Sequence, residues 1–285
     1  IDTEEQSTET AIPPIIPTLN STAINKEMQA TYGIFASTSK GEEKIHVLEN
    51  DKLKIKVSNK GGRITSVIIK RGPGKDGKRY VTHEGKELDI FNADSSRFNL
   101  QFTTGYNINT ANLYFVAEQD DNSLSMKLKA DNNHYVEYLY TLTDNYLVDF
   151  DINLVGMDEL IPAGVNYMNL EWQMKTPQTE KSKTNQDMYT GIQYQYSADN
   201  EVDYLSFSST DEDKINSRLN WVAFKQQFFS AIFIATPGFE KPTHLSSIKS
   251  EGSKFIKDLA AQFELPYTHK RNEKLSFQFY FGPNH

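Results

Sequence analysis

Alternation with a period of two constrains this chain more than any other feature. Leu53, Ile55 and Val57 alternate with Lys52, Lys54 and Lys56, and Phe98, Leu100 and Phe102 repeat the pattern. Leu124, Met126 and Leu128 follow it with Ser and Lys between them. Successive strand side chains point to opposite faces, so such a run offers one face to a core and one to solvent. Val136 to Leu142 and Tyr146 to Leu154 flank Thr143-Asp144-Asn145, which predicts a hairpin. Asn59-Lys60-Gly61-Gly62 predicts a turn before the apolar run Ile64 to Ile69. Tyr167 to Met174, Tyr189 to Tyr196 and Leu275 to Phe281 continue the theme. Helical periodicity is nearly absent, and Glu201 to Tyr204 and Asp211 to Ile215 read as short turns. Many strands without intervening helices predict antiparallel sheets packed as a sandwich or barrel. The spacing settles into no fixed repeat, which disfavours a propeller or solenoid. The expected class is all-β: one large antiparallel β-sandwich with few short helices.

Composition narrows the partners. The net charge is −8 and the basic residues are scattered among acids, unlike the clustered Lys and Arg that a phosphate backbone selects. No nucleic-acid partner is expected, nor broad adhesion to an anionic lipid surface. The chain lacks cysteine, which removes disulfides and thiolate chemistry. No run of about 18 apolar residues is present to span a bilayer. Residues 1–44 read as a linker, mostly extended or poorly ordered, and 45–285 as a single domain. Asp2 to Thr10 is acidic and polar, and Ile12 to Pro17 holds three prolines, which suit semi-rigid extended chain. A linker between a membrane anchor and a domain and a frayed terminus are both open readings. The chain starts without Met and stops just after a strand-like run, so it is read as an excised segment. Arg71 to Lys78 and Thr176 to Asp187 are expected to be exposed, mobile loops.

Candidate chemistry is sparse. None of His46, His83, His134, His244, His269 and His285 falls at His-x-His or His-x-x-x-His spacing, so no metal site is expected. Each reads as a surface or hairpin histidine. Glu42-Glu43, Asp120-Asp121 and Asp211-Glu212-Asp213 lie in expected loops, and glycosidic chemistry needs carboxyls placed across a bond. Gly61-Gly62 and Gly72-x-Gly74 precede no helix signal and read as turn glycines. No catalytic or cofactor-binding residue is assigned, and no cofactor is implied.

One block stands apart. Trp221-Val222-Ala223-Phe224-Lys225-Gln226-Gln227-Phe228-Phe229 joins two apolar runs through Lys-Gln-Gln. It resembles the Trp-Val-Ala-x-x-Gln-Gln-(aromatic)-Phe segment of the periplasmic domain of YidC membrane protein insertases. Asn50 to Ser66 resembles that family's opening strand pair, and Tyr146 to Ile152 its central strand. Phe279-Tyr280-Phe281-Gly282-Pro283 is similar to its (aromatic)-x-Gly-Pro ending. The resemblance covers roughly residues 45 to 283, and the proline-rich start and missing cysteine look like the Bacteroidetes branch. It implies a twisted β-supersandwich similar to mutarotase-type and carbohydrate-binding sandwiches, on the periplasmic face of the inner membrane. It also implies a multi-spanning parent protein that inserts nascent membrane proteins, alone or with the Sec translocon. There the domain is a non-catalytic accessory or docking piece, and Sec auxiliary subunits are implied partners.

Trp221, Gln226, Gln227, Phe228 and Phe229 are therefore the candidate signature and contact residues. The bland reading has one glutamine bonding a strand edge or bulge. It buries Trp221, Phe224, Phe228, Phe229, Phe233 and Ile234, whereas an exposed aromatic patch would point to a partner. Two rival functions stay open: a carbohydrate- or peptide-binding module with an aromatic cleft, and a mutarotase-type sugar enzyme. The enzyme would need a close His–Glu pair in that cleft.

Overall fold

The alternating runs become strands in the computed structural model, which describes residues 21–70, 80–90, 95–252 and 254–284, and of 21–25 the backbone alone. Helix α1 (Ser21–Tyr32) and a 3-10 segment (Gly33–Ser39) come first. Strands β1 (Ile45–Glu49), β2 (Leu53–Ser58) and β3 (Ile64–Ile69) make a three-stranded sheet. Next come β4 (Ser96–Thr103), β5 (Asn107–Asn109), β6 (Val116–Gln119), β7 (Ser123–Lys129), β8 (Tyr135–Leu142), β9 (Leu147–Val155) and β10 (Tyr167–Pro177). Helix α2 (Lys183–Tyr189) precedes β11 (Gly191–Tyr196), β12 (Val202–Tyr204), β13 (Asp211–Ile215) and β14 (Leu219–Lys225). The chain closes with β15 (Phe229–Phe239), β16 (Thr243–Lys249), β17 (Phe255–Pro266) and β18 (Asn272–Pro283). A nine-stranded sheet runs β12-β11-β14-β15-β18-β9-β8-β7-β6, and a six-stranded sheet runs β13-β16-β17-β10-β4-β5. Their strand pairs are antiparallel, as the sequence predicts.

Alternation fills the space between the layers. Val148, Phe150, Ile152 and Leu154 of β9 are fully buried, and register sets Phe150 opposite Tyr140 and Phe277. Phe233 stacks on Phe279 at 4.6 Å and meets Trp172 and Phe263 of the six-stranded sheet at 5.8 and 5.7 Å. Trp172 stacks on Phe224 at 3.9 Å, with Phe98 beside it on β4 and Ala261 on β17. The small Ala261 leaves room for the indole, the interdigitation that native packing density requires. Each aromatic pair adds roughly 0.5–1.5 kcal/mol beyond area burial. Gly61 and Gly62 take φ of 79° and 62° in the expected β2–β3 turn. A Cβ on Gly62 would meet the Tyr138 ring at 2.9 Å, so glycine is needed there for closeness as well as φ.

Several expectations need correction. Residues 21–39, expected as extended linker, are helical, and Phe35 is buried edge-on to Phe102 at 5.8 Å. Beyond the prolines, Ala23, Lys26, Glu27, Met28 and Ala30 are good helix formers, and Phe35 anchors the end. Residues 1–20 and the Arg71 to Lys78 loop lie outside the described residues. Thr176 to Asp187, expected as an exposed loop, is half buried and enters α2, whose start Ser182 caps through Asn185 N–H. Buried Gln186 accepts N–H bonds from Thr179 and Glu180 and donates to the Pro177 carbonyl at 3.0 Å, so a polar network replaces apolar periodicity. The expected turns at 201–204 and 211–215 are instead strands β12 and β13, at sheet edges where charged side chains are tolerated. Among the described residues, no helix is long and apolar enough to cross a membrane.

Lys257 pins α2 to the six-stranded sheet. Its fully buried Nζ donates to the Thr190, Phe207 and Asp187 carbonyls at 2.7, 2.6 and 3.2 Å and lies 3.3 Å from Asp187 Oδ1. Burial pushes its pKa down, and Asp187 opposes that by favouring the ammonium. Removing the ammonium strands the buried Thr190, Phe207 and Asp187 carbonyls, while the Asp187 carboxylate keeps Lys249 at 3.1 Å. Lys257→Met is expected to cost about 3 kcal/mol. Urea unfolding should show a lower midpoint at unchanged slope, and an unchanged midpoint would remove the pinning role.

Candidate functional site

The Trp221 to Phe229 block spans β14, a tight turn and the start of β15. Inward positions Val222, Phe224, Ala231 and Phe233 are buried, so strand alternation turns Trp221, Lys225, Ile232 and Ile234 outward. Cross-strand register then builds an outward row, Gln193–Ala223–Ile232–Tyr280–Leu147, across five strands. Trp221 and Ile234 form a pair in the next row. Together they line a groove of about 390 Å³, with Pro283 and Asn284 at one rim. Toward β8 the same sheet face carries polar pairs. Gln278 donates to Asp149 and Ser276 to Asp151, each at 2.7 Å, and Asn153 donates to Glu137 at 2.8 Å. These satisfied polar ladders bound the apolar strip on the β8–β9 side, while on the other side its rows continue to exposed Tyr204 and Val202 of β12.

The glutamine pair holds the turn. Buried Gln226 donates from Nε2 to the Ile90 carbonyl at 2.9 Å, and its N–H reaches the Phe229 carbonyl at 2.8 Å. Asn284 Nδ2 donates to the Gln226 and Gln227 carbonyls at 2.9 and 3.1 Å, and Asn284 N–H to the Phe228 carbonyl at 2.9 Å. The Gln226 main chain thus closes the β14–β15 turn, while its side chain reaches the Ile90 carbonyl outside both strands. Gln227 Oε1 is buried with no hydrogen-bond partner among the described residues.

The expected burial of the block is corrected in part. Phe224 and Phe233 are core, but Trp221 and Ile234 line the groove. Phe228 is 52% exposed at the turn, and Phe229 is half-buried with its ring 5.0 Å from Tyr80. Tyr280, Leu147, Gln193 and Asn284 were missed because only strand register brings them to the block. The alternation of Val222 and Phe224 was the signal that could have turned Trp221 outward.

The groove lining holds one titratable cation, Lys225, whose pKa burial lowers. No histidine or carboxylate lines it among the described residues. A His–Glu pair exists elsewhere. His134, at the β7–β8 turn, meets Asp131 through Nδ1 at 2.8 Å and Glu159 through Nε2 at 3.1 Å. His269 and His83 bond the Val165 and Thr179 carbonyls at 2.8 and 3.1 Å, and His46 lies beside β6.

The layered antiparallel sheets define a galactose mutarotase-like sandwich. A galactose mutarotase-like protein from Lactobacillus casei matches with a TM-score of 0.50 at 11% identity, covering 84% of this chain and 100% of that one. That likeness shows the fold alone. The family model described as the YidC periplasmic domain matches residues 45–285, and the chain belongs to that family. The membrane protein insertase YidC of Bacteroides fragilis is 37% identical over 254 residues, 88% of this chain and 40% of the relative. That of Parabacteroides distasonis is 32% identical over 264 residues, 91% and 40% respectively. The chain thus spans about 40% of the length of the curated relatives it matches. The resemblance carried by the Trp221 block and its Bacteroidetes flavour are both met.

Asp131 first, then Glu159, raises the His134 pKa above its ordinary 6.5 by hydrogen bonding the imidazolium. The stabilisation this gives is full below the unfolded histidine value and is lost as pH rises through the raised folded value. NMR titration of the His134 ring should give a midpoint above 6.5, and Glu159→Gln should lower it. A midpoint that ignores Glu159→Gln would break the assignment.

Proposed function

We propose that this chain is a non-catalytic extracytoplasmic docking domain of a membrane protein insertase. It serves insertion and folding of nascent membrane proteins, alone or with the Sec translocon, from the periplasmic face of the inner membrane as part of a multi-spanning protein. The observation that carries this reading is the apolar groove of Trp221, Ile232, Ile234 and Tyr280 on the outward face of the nine-stranded sheet. Exposed apolar ground of this kind marks contact sites. Among the described residues the groove lining holds no His–Glu pair, which the sugar-enzyme reading requires. The Sec auxiliary subunits are the proposed occupants, and tethering by the parent protein makes modest affinity sufficient.

A second reading rests on the same groove. Trp221 and Tyr280 beside Gln193 and Asn284 combine aromatic faces with polar groups, the chemistry of a carbohydrate module. Trp172 is buried against Phe224, so a ligand in the groove changes the emission of Trp221 and leaves that of Trp172 in place. Saturable quenching by oligosaccharides would favour this second reading over the first.

The main test uses the full-length parent protein. A photo-crosslinking residue at Ile234 should capture a Sec auxiliary subunit, and Trp221→Ala with Ile232→Ser should cut the yield about tenfold. Deleting residues 45 to 283 should leave much of the insertion activity. Complete loss with a folded membrane core would end the accessory reading, and crosslinks elsewhere alone would end the groove assignment.

A further inference from the structure

Two open strand edges face each other at the side of the sandwich. β1 pairs on one edge with β2, and β6 on one edge with β7. Asp120 N–H donates to the Ser123 carbonyl at 2.9 Å, and Asn50 N–H to the Leu53 carbonyl at 3.0 Å. Antiparallel ladders alternate, so these turn bonds fix which residues bond inward. Counting from them, Glu118 and Val116 bond β7, while Ala117 and Gln119 direct N–H and C=O to the open edge. Leu48 and His46 bond β2, while Ile45 and Val47 direct theirs outward.

The two edges are tied at both ends. Gln119 Nε2 donates to the Val47 carbonyl at 2.7 Å. At the other end, Phe115 N–H donates to the Asn59 carbonyl at 2.8 Å and Tyr114 N–H to the Thr38 carbonyl at 2.7 Å. Beside the second tie lies a slot of about 620 Å³, between Thr38 to His46 on one side and Tyr114 to Ala117 on the other. Among the described residues, the outward main-chain groups of Ala117 meet no main-chain partner. Natural sheets close or blunt such edges, because an open one pairs with any extended chain.

Side chains around the slot select the guest. Lys40, Lys44 and Lys129 line it against one carboxylate, Glu42, in a chain whose net charge is −8. Ile45, Val47 and Val116 stand 48, 38 and 51% exposed beside it. We infer that the slot takes an extended segment of a partner protein rich in acidic and β-branched residues, added as a strand to the free edge of β6. Main-chain bonds to Ala117 and Gln119 hold the guest, and the lysines choose its charge. At about 3.3 Å per residue, the edge of β6 engages roughly four guest residues. This site is separate from the Trp221 groove, and neither reading depends on the other.

The test is amide NMR of the whole 285-residue chain, with a capped peptide of alternating valine and glutamate as probe. Saturating shifts at Ala117, Gln119, Ile45 and Val47 are expected below about 1 mM, weakening as salt rises. Lys44→Glu with Lys129→Glu should weaken binding about tenfold without moving the melting temperature, since neither side chain is buried. Ala117→Pro should abolish it by removing one outward N–H. Unmoved slot amides, equal affinity for a valine–lysine peptide, or shifts confined to the Trp221 groove would each overturn the inference. Binding that appears only after deletion of residues 1–20 would also overturn it, by giving the slot to the chain's own amino-terminal segment.

Discussion

The contact of Phe233 with Trp172 and Phe263 joins the two large sheets, and much else follows from it. Phe233 sits on β15 near the middle of the nine-stranded sheet, with Phe279 and Phe277 stacked beside it on β18. These rings can face inward only if their neighbours face outward. The groove is therefore the other side of the core: Ile232 and Ile234 are outward because Phe233 is inward. A period-two chain cannot change one face without the other. The groove floor therefore rests directly on the aromatic layer beneath it.

Strand content was legible because alternation is a local property. The hairpin at Thr143-Asp144-Asn145 and the turn at Gly61-Gly62 could be read from a few residues each. Register could not, and register assembles the groove from Gln193, Ala223, Ile232, Tyr280 and Leu147. The Trp221 block misled about burial because a dense apolar run reads equally as a fully buried strand. Helices α1 and α2 were hidden for different reasons. Prolines just upstream masked α1, and α2 is held by Gln186 and Lys257, whose polar contacts leave no hydrophobic period. Strands β12 and β13 carry charge because they close sheet edges, so their composition imitates a turn.

Charge is distributed with the same economy. Buried Lys257 and Lys70 are matched by carbonyls and a carboxylate, Lys70 through Glu49 at 2.7 Å and the Asn50 carbonyl at 2.6 Å. Each ties a connecting segment to a strand, so these ammonium groups act as structural fasteners. The polar half of the nine-stranded sheet face pairs its own acids with amides, hydroxyls and Lys274. The apolar groove therefore borders on polar ground whose hydrogen bonds are already made.

Asn284 has a mechanical consequence. Its three bonds to the main chain of Gln226, Gln227 and Phe228 clasp the end of β18 to the β14–β15 turn. β18 is also an interior strand, flanked by β15 and β9 along most of its length. Tension applied along the chain at Asn284 would meet those ladder bonds side by side, because antiparallel bonds run perpendicular to the strands. They would load in shear together and would not open one at a time like a zip. The clasp would pass part of the same tension to the Gln226–Phe228 turn, at the rim of the groove.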